Sequence, residues 1–243
     1  MDPVTLAIVE GIISALIVSG GGFLIIRSRS RLRARRELAK VHKELAERLL
    51  SSGVSNFYVG RQDWHRYRRP PALDAYLRQA SESVQIASFW MAQGSIEGIP
   101  KVCRDLATQG RRIEIVLINP NGPLPEILSR DLELPAETIR AQVLSSLDSL
   151  KRLQDGLASA DMPNFNVKVS DSLPQAAVIL LDAGRPTGKI QLELRPYRAA
   201  RSDSFSIEVC GDADAQLYKI LRESWVKFFQ DAQPVVRAPE VGA

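Results

Sequence analysis

The stretch from Val4 to Ile26 constrains this chain more than any other: it holds 23 residues, almost all apolar or small, with Glu10 the one charge. A helix rises about 1.5 Å per residue, so a run of this length crosses the roughly 30 Å hydrocarbon core of a bilayer. It is followed at once by Arg27, Arg29, Arg31, Arg33, Arg35 and Arg36, with no acid among them, and preceded only by Met1, Asp2 and Pro3. Lys and Arg beside a span resist translocation. The order predicts a single-pass anchor in a cell's inner membrane, with the N-terminus outside and everything after Arg27 in the cytoplasm. A cleavable signal peptide carries its positive charge before the apolar run, and here that order is reversed. Core helices, for their part, are seldom apolar on every face over such a length.

Within the predicted span, Ala7, Gly11, Ala15 and Ser19 recur every four residues and share one helix face. Small residues at this spacing let two helices approach closely in lipid, where packing drives association. The stripe therefore predicts self-association, and a homodimer is the expected partner state. Glu10 lies beside it, about one and a half turns into the span, at a depth where a carboxyl group is tolerated near the headgroups. The six arginines are expected against the anionic inner leaflet, at roughly 1 kcal/mol per residue, which makes membrane lipid a second expected partner.

The charge balance supports this division. Of 32 basic and 28 acidic residues, nine and five fall within residues 1–50, so residues 51–243 hold 23 of each sign. The +4 excess belongs to the membrane-proximal part, and a neutral globular domain argues against a general nucleic-acid binder. Only Cys103 and Cys210 are present; in a reducing compartment they are expected as free thiols. No pair of Cys or His residues has metal-ligand spacing, so neither a metal nor another cofactor is expected.

Along the chain, Leu38, Val41, Leu45 and Leu49 form the apolar face of an amphipathic helix that continues the span as a stalk, with His42 on its surface. From Val54 the pattern alternates short apolar runs with amphipathic helices. Strands are predicted over Val54–Val59, Ser83–Trp90, Arg112–Ile118, Asn164–Ser170, Ala176–Asp182, Lys189–Arg195 and Ser206–Cys210. Helices are predicted over Ala72–Ala80, Ser95–Thr108, most of Glu126–Ala158, and Ala213–Gln230. Helices alternating with strands, then a run of strands, predict an α/β class with a mixed β-sheet sandwiched by helices. The organisation reads as a transmembrane helix (1–26), a basic juxtamembrane helical stalk (27–52), a cytoplasmic globular domain (53–231) and a disordered tail (232–243).

The informative segment is Gln175-Ala176-Ala177-Val178-Ile179-Leu180-Leu181-Asp182. Phospholipase D-like proteins carry His-x-Lys-x-x-x-x-Asp on such a strand, and this chain resembles them over residues 54–230 with the first position Gln175, the Lys position Ala177 and the Asp kept as Asp182. Gly188 and Lys189 lie near that family's Gly-Ser pair, one residue out of step. The order of Phe57-Tyr58, Arg61, the Tyr76-Leu77 helix, Gly110, Asn119-Pro120 and Trp225 fits as well. In the family the His attacks phosphorus, the Lys holds phosphate oxygens and the Asp supports the surrounding fold. An amide is a poor nucleophile with no titration near neutral pH, and Ala177 removes the charge that would neutralise phosphate. The only histidines, His42 and His65, are not followed by the required Lys and Asp.

The resemblance thus implies a phospholipase D-like scaffold with a degenerate motif, used for ligand sensing, binding or assembly at the membrane face. Arg61 and His65, within a basic loop that also holds Trp64 and Tyr67, join Gln175, Asp182 and Lys189 as candidate ligand-binding residues for a phosphorylated molecule. A solvated or headgroup-facing loop explains the same charge run. The alternatives are a membrane-tethered phosphodiesterase or nuclease using a non-standard site, and an effector or scaffold subunit of a membrane complex.

Overall fold

The computed structural model describes residues 44, 47–49, 51–59, 73–91, 98–194, 204–211 and 215–235. The chain divides into two units, Met1–Leu50 and Ser51–Ala243, and the architecture below is that of the second. No described helix is long and apolar enough to cross a membrane. The predicted span, the six arginines and the Arg61–Arg69 loop all lie outside the described residues.

One sheet of eight strands organises the domain. In chain order its elements are β1 (Val54–Val59), α1 (Leu73–Leu77), β2 (Ser83–Ser88), α2 (Ile99–Thr108), β3 (Arg112–Ile118), α3 (Leu124–Leu132) and α4 (Ala136–Asp155). There follow β4 (Phe165–Ser170), β5 (Ala177–Leu181), β6 (Lys189–Leu194), β7 (Phe205–Cys210), α5 (Gln216–Asp231) and β8 (Gln233–Pro234). The strand order is β1-β7-β6-β5-β2-β3-β4-β8. β2, β3 and β4 run parallel, as helical crossovers require. The pairs β2–β5, β5–β6, β6–β7 and β1–β7 are antiparallel. β2 is thus the seam between a parallel and an antiparallel half.

Successive strand residues point to opposite faces, and the two faces bury different sets. On one face Val84, Ile86, Ile113, Ile115, Leu117, Phe165 and Leu181 form a core with Leu77 of α1, Leu106 of α2, Leu128 of α3, and Ile139, Val143 and Leu150 of α4. On the other, Val178, Leu180, Ile190, Leu192 and Val209 pack with Tyr218, Trp225 and Phe229 of α5. The expected mixed sheet between helices is the observed architecture.

Two local differences have physical causes. The segment predicted as mostly helical over Glu126–Ala158 is two helices, because Glu133 takes a left-handed conformation (φ 55°) and Pro135 keeps Leu134 out of helical geometry. The tail predicted as disordered from Ala232 is corrected at its start. Ala232 is buried, and Gln233 and Pro234 pair with Val169 and Lys168 at the sheet edge, where a residue without an N–H is accommodated. Residues 236–243 lie outside the described residues.

Both cysteines are free. Cys103 is fully buried in α2, and burial pushes its thiol up to about 12. Since the thiolate is the reactive form, a maleimide at pH 8 should leave Cys103 unmodified in the native protein and label it after denaturation. Mass spectrometry of the labelled peptides measures this, and native labelling of Cys103 would contradict the core described here.

Candidate functional site

Asp182 follows β5 directly in a left-handed conformation (φ 51°), a region Asp tolerates better than most residues. Its Oδ2 accepts the Ser81 N–H at 2.8 Å and the Ser81 hydroxyl at 2.7 Å. Its Oδ1 accepts the N–H groups of Glu82 at 2.7 Å and Ser83 at 2.9 Å. In return the Asp182 N–H donates to the Ser83 carbonyl at 2.9 Å. The carboxylate therefore stitches the end of β5 to the start of β2, and its acceptor positions are filled. Burial opposes its ionisation, but the amides of Ser81, Ser83 and Glu82 and the Ser81 hydroxyl outweigh that, holding the carboxyl below the usual aspartate range.

The turn from Asp182 to Gly188 is packed against its surroundings. The Arg185 N–H donates to the Asp182 carbonyl at 2.8 Å, and the Gly188 N–H to the Arg185 carbonyl at 3.1 Å. A Cβ on Gly188 would run into the Tyr218 hydroxyl and the Asp182 carbonyl oxygen, so only glycine fits. Arg185 pairs with Glu82 at the surface, and Lys189 Nζ donates to Gln79 Oε1 at 2.8 Å. Asp182 and Lys189 thus share one end of the sheet, each already engaged.

Gln175 stands elsewhere. It is exposed in the loop before β5, at the opposite end of that five-residue strand from Asp182. Strand geometry of roughly 3.3 Å per residue makes that about 16 Å. Of the five candidate residues, Asp182 and Lys189 come together, Gln175 does not join them, and Arg61 and His65 lie outside the described residues.

Sequence reasoning missed a polar strip beside Ala177. The register aligns Ala177 with Glu193 and Ile179 with Gln191, and then Glu193 with Ser206 and Gln191 with Glu208. Gln191, Ser206 and Glu208 are buried. Glu208 Oε1 accepts the Ser55 hydroxyl at 2.9 Å and Asn56 Nδ2 at 2.6 Å. Ser204 donates to Glu193 at 3.2 Å, and the Cys210 thiol lies 3.2 Å from the Ser55 hydroxyl. The available signal was polar residues at alternate positions, Gln191-x-Glu193 and Ser206-x-Glu208, inside otherwise apolar strands. The strip offers amides, hydroxyls and carboxylates. Among the described residues it holds no imidazole, so it contains no pairing of a nucleophile with a neutral-pH base.

No family profile matches this sequence, and no curated protein does either. Among solved structures, the chain is similar to TrmBL2, an archaeal chromatin protein with a novel mode of DNA binding, at 14% identity and TM-score 0.42, covering 86% of this chain and 66% of that one. It is similar to Nuc from Salmonella typhimurium, a phospholipase D family member, at 8% identity and TM-score 0.42, covering 68% and 89%. Phosphatidylserine synthase of Haemophilus influenzae is similar at 16% identity and TM-score 0.48, covering 74% and 38%. The chain thus spans just under two thirds of TrmBL2 and little more than a third of the synthase. At these identities none of their activities passes to this chain.

The Asp182 clamp generates a pH-dependent expectation. A carboxyl with a lowered folded-state pKa contributes stability that is present above its unfolded value of about 3.9 and is lost as pH falls through the folded value. Asp182→Asn keeps a residue tolerant of the left-handed backbone but presents fewer acceptors to the three amides. It should cost about 2–3 kcal/mol at pH 7, with the gap from wild type narrowing below about pH 4. Thermal unfolding at both pH values measures it, and a gap independent of pH would refute the ionised clamp.

Proposed function

We propose that this chain is a single-pass membrane protein whose cytoplasmic domain is a phospholipase D-like scaffold without that family's chemistry, serving as a binding, sensing or assembly module. One observation carries the reading. Of the three motif positions, the chain keeps Asp182, the structural one, and fills it completely with hydrogen bonds. The two chemical positions are an exposed amide at Gln175 and a methyl group at Ala177. An amide cannot replace an attacking imidazole, and alanine cannot neutralise a phosphoryl oxygen.

The membrane placement rests on the apolar run and the six arginines, with the N-terminus outside and the domain at the cytoplasmic face. Pairing of two copies rests on the Ala7-Gly11-Ala15-Ser19 stripe. The strip of Gln191, Glu193, Ser206 and Glu208 does not suit a phosphate, because the residue at the Lys position beside it is Ala177 and three of its members are buried.

Purified full-length protein in lipid nanodiscs should turn over a fluorogenic phosphodiester no faster than protein-free discs. Turnover that disappears in His65→Ala would establish a non-standard catalytic site and end the module reading. For self-association, Gly11→Leu combined with Ala15→Leu should weaken in-membrane crosslinking several-fold, by opening the close helix contact. An unchanged crosslink would remove the span as the pairing surface.

A further inference from the structure

The face of the sheet that carries α5 is apolar over β5–β7 and at Ala87 and Val116, and polar over the first residues of β2–β4. Ser83 and Arg112 are aligned across β2 and β3, and Gln85, Glu114 and Asn166 are aligned across β2, β3 and β4. Between these residues and α5 lies an open cleft of about 500 Å³, whose far wall includes Ala183, Gly184 and Arg222. That volume is in the range of small-molecule sites. The cleft is on the opposite face of the sheet from the polar strip beside Ala177.

Part of the lining is internally balanced. Glu114 accepts Lys168 Nζ at 2.7 Å on one oxygen and Gln85 Nε2 at 2.7 Å on the other. Lys168 also donates to the Phe229 carbonyl at 3.1 Å. These groups form a neutral, ordered floor. The remaining charge is two guanidinium groups. Arg222 uses Nε to hold the Ala183 carbonyl, which orients the group and leaves its terminal nitrogens. The Arg112 side chain is exposed at the mouth. Neither forms a close ion pair among the described residues; Arg112 acts on the Glu82 carboxylate at longer range, and that carboxylate is already paired with Arg185. A planar guanidinium matches phosphate oxygens in a two-bond fork, and two such groups balance a doubly charged anion.

We infer that this cleft binds the phosphate monoester group of a small molecule. A single carboxylate would satisfy one guanidinium and leave the other without a counter-ion. A nucleic-acid strand needs an extended basic groove with aromatic stacking surfaces, and among the described residues the cleft lining contains no aromatic side chain. The amide of Asn166, which donates to the Pro163 carbonyl at 3.1 Å, keeps its oxygen for the ligand's remaining part. The inference does not depend on the fate of the Gln175 motif.

The test is calorimetric titration of the full chain in phosphatidylcholine nanodiscs with inorganic phosphate and with glycerol 3-phosphate. One saturable site per chain is expected, weakened roughly tenfold or more by Arg112→Gln and unaffected by Lys101→Gln, an exposed position on α2 on the other face. Arg222→Gln should weaken it too, and Arg112→Gln decides the matter because that exposed side chain, unlike Arg222, holds no hydrogen bond or close ion pair among the described residues. Nanodiscs containing phosphatidate separate the sources: loss of the soluble-phosphate signal there assigns the site to a lipid headgroup, and an unchanged signal to a free metabolite. Absence of saturable binding, or binding unchanged in Arg112→Gln, would overturn the inference.

Discussion

The domain depends on the Asp182 carboxylate and the three consecutive amides it receives. β2 is where a parallel half-sheet meets an antiparallel one, and its short ladder to β5 aligns Val84–Ala87 with Leu181–Val178. Asp182 reinforces that alignment from the side: charge-assisted bonds to Ser81, Glu82 and Ser83 fix where β2 begins relative to the end of β5. A one-residue slip would turn every β5 side chain to the wrong face. The glycine at 188 serves the same junction, because any side chain there would push the turn away from Tyr218 and from Asp182 itself.

The sheet's two faces are complementary in a diagonal sense. One face is apolar over β2–β4, where α1–α4 cover it, and polar over β6 and β7. The other is apolar over β5–β7 and at Ala87 and Val116, where α5 covers it, and polar over the first residues of β2–β4. Helices go where apolar area is greatest, since burial contributes roughly 25 cal/mol per Å². Two polar half-faces remain as a consequence of that packing. One holds the Gln191–Glu208 strip, which is hydrogen-bonded and has no imidazole among the described residues. The other holds the cleft with its two arginines.

Much of the fold was legible in advance because period-two and period-3.6 patterns are local. The strands Val54–Val59 and Arg112–Ile118 and the final helix containing Trp225 follow from them directly. The break at Glu133–Pro135 was also written locally, in the proline, but a long apolar periodicity on both sides masked it. The pairing of Gln233 with Val169 had no local signal, since two residues ending a helix read as the start of a tail. The candidate site was legible only in part. Asp182 could be singled out by its spacing from Gln175, yet its partners are 99–101 residues away. Nothing near position 182 announces them.

By itself the amino-acid order determined the apolar run and its arginine flank, the neutrality of residues 51–243, the strand and helix segments, and the spacing of Gln175, Ala177 and Asp182. These are properties of composition and short-range period, and they do not depend on what the chain folds against. Tertiary structure alone decided that Asp182 receives the amides of Ser81, Glu82 and Ser83, that Gln191 meets Glu208, and that Arg112 and Arg222 line one cleft. Each of these depends on strand register and on which face a helix covers. Both are set by long-range packing, because only the assembled sheet brings residues distant in sequence within reach of a hydrogen bond.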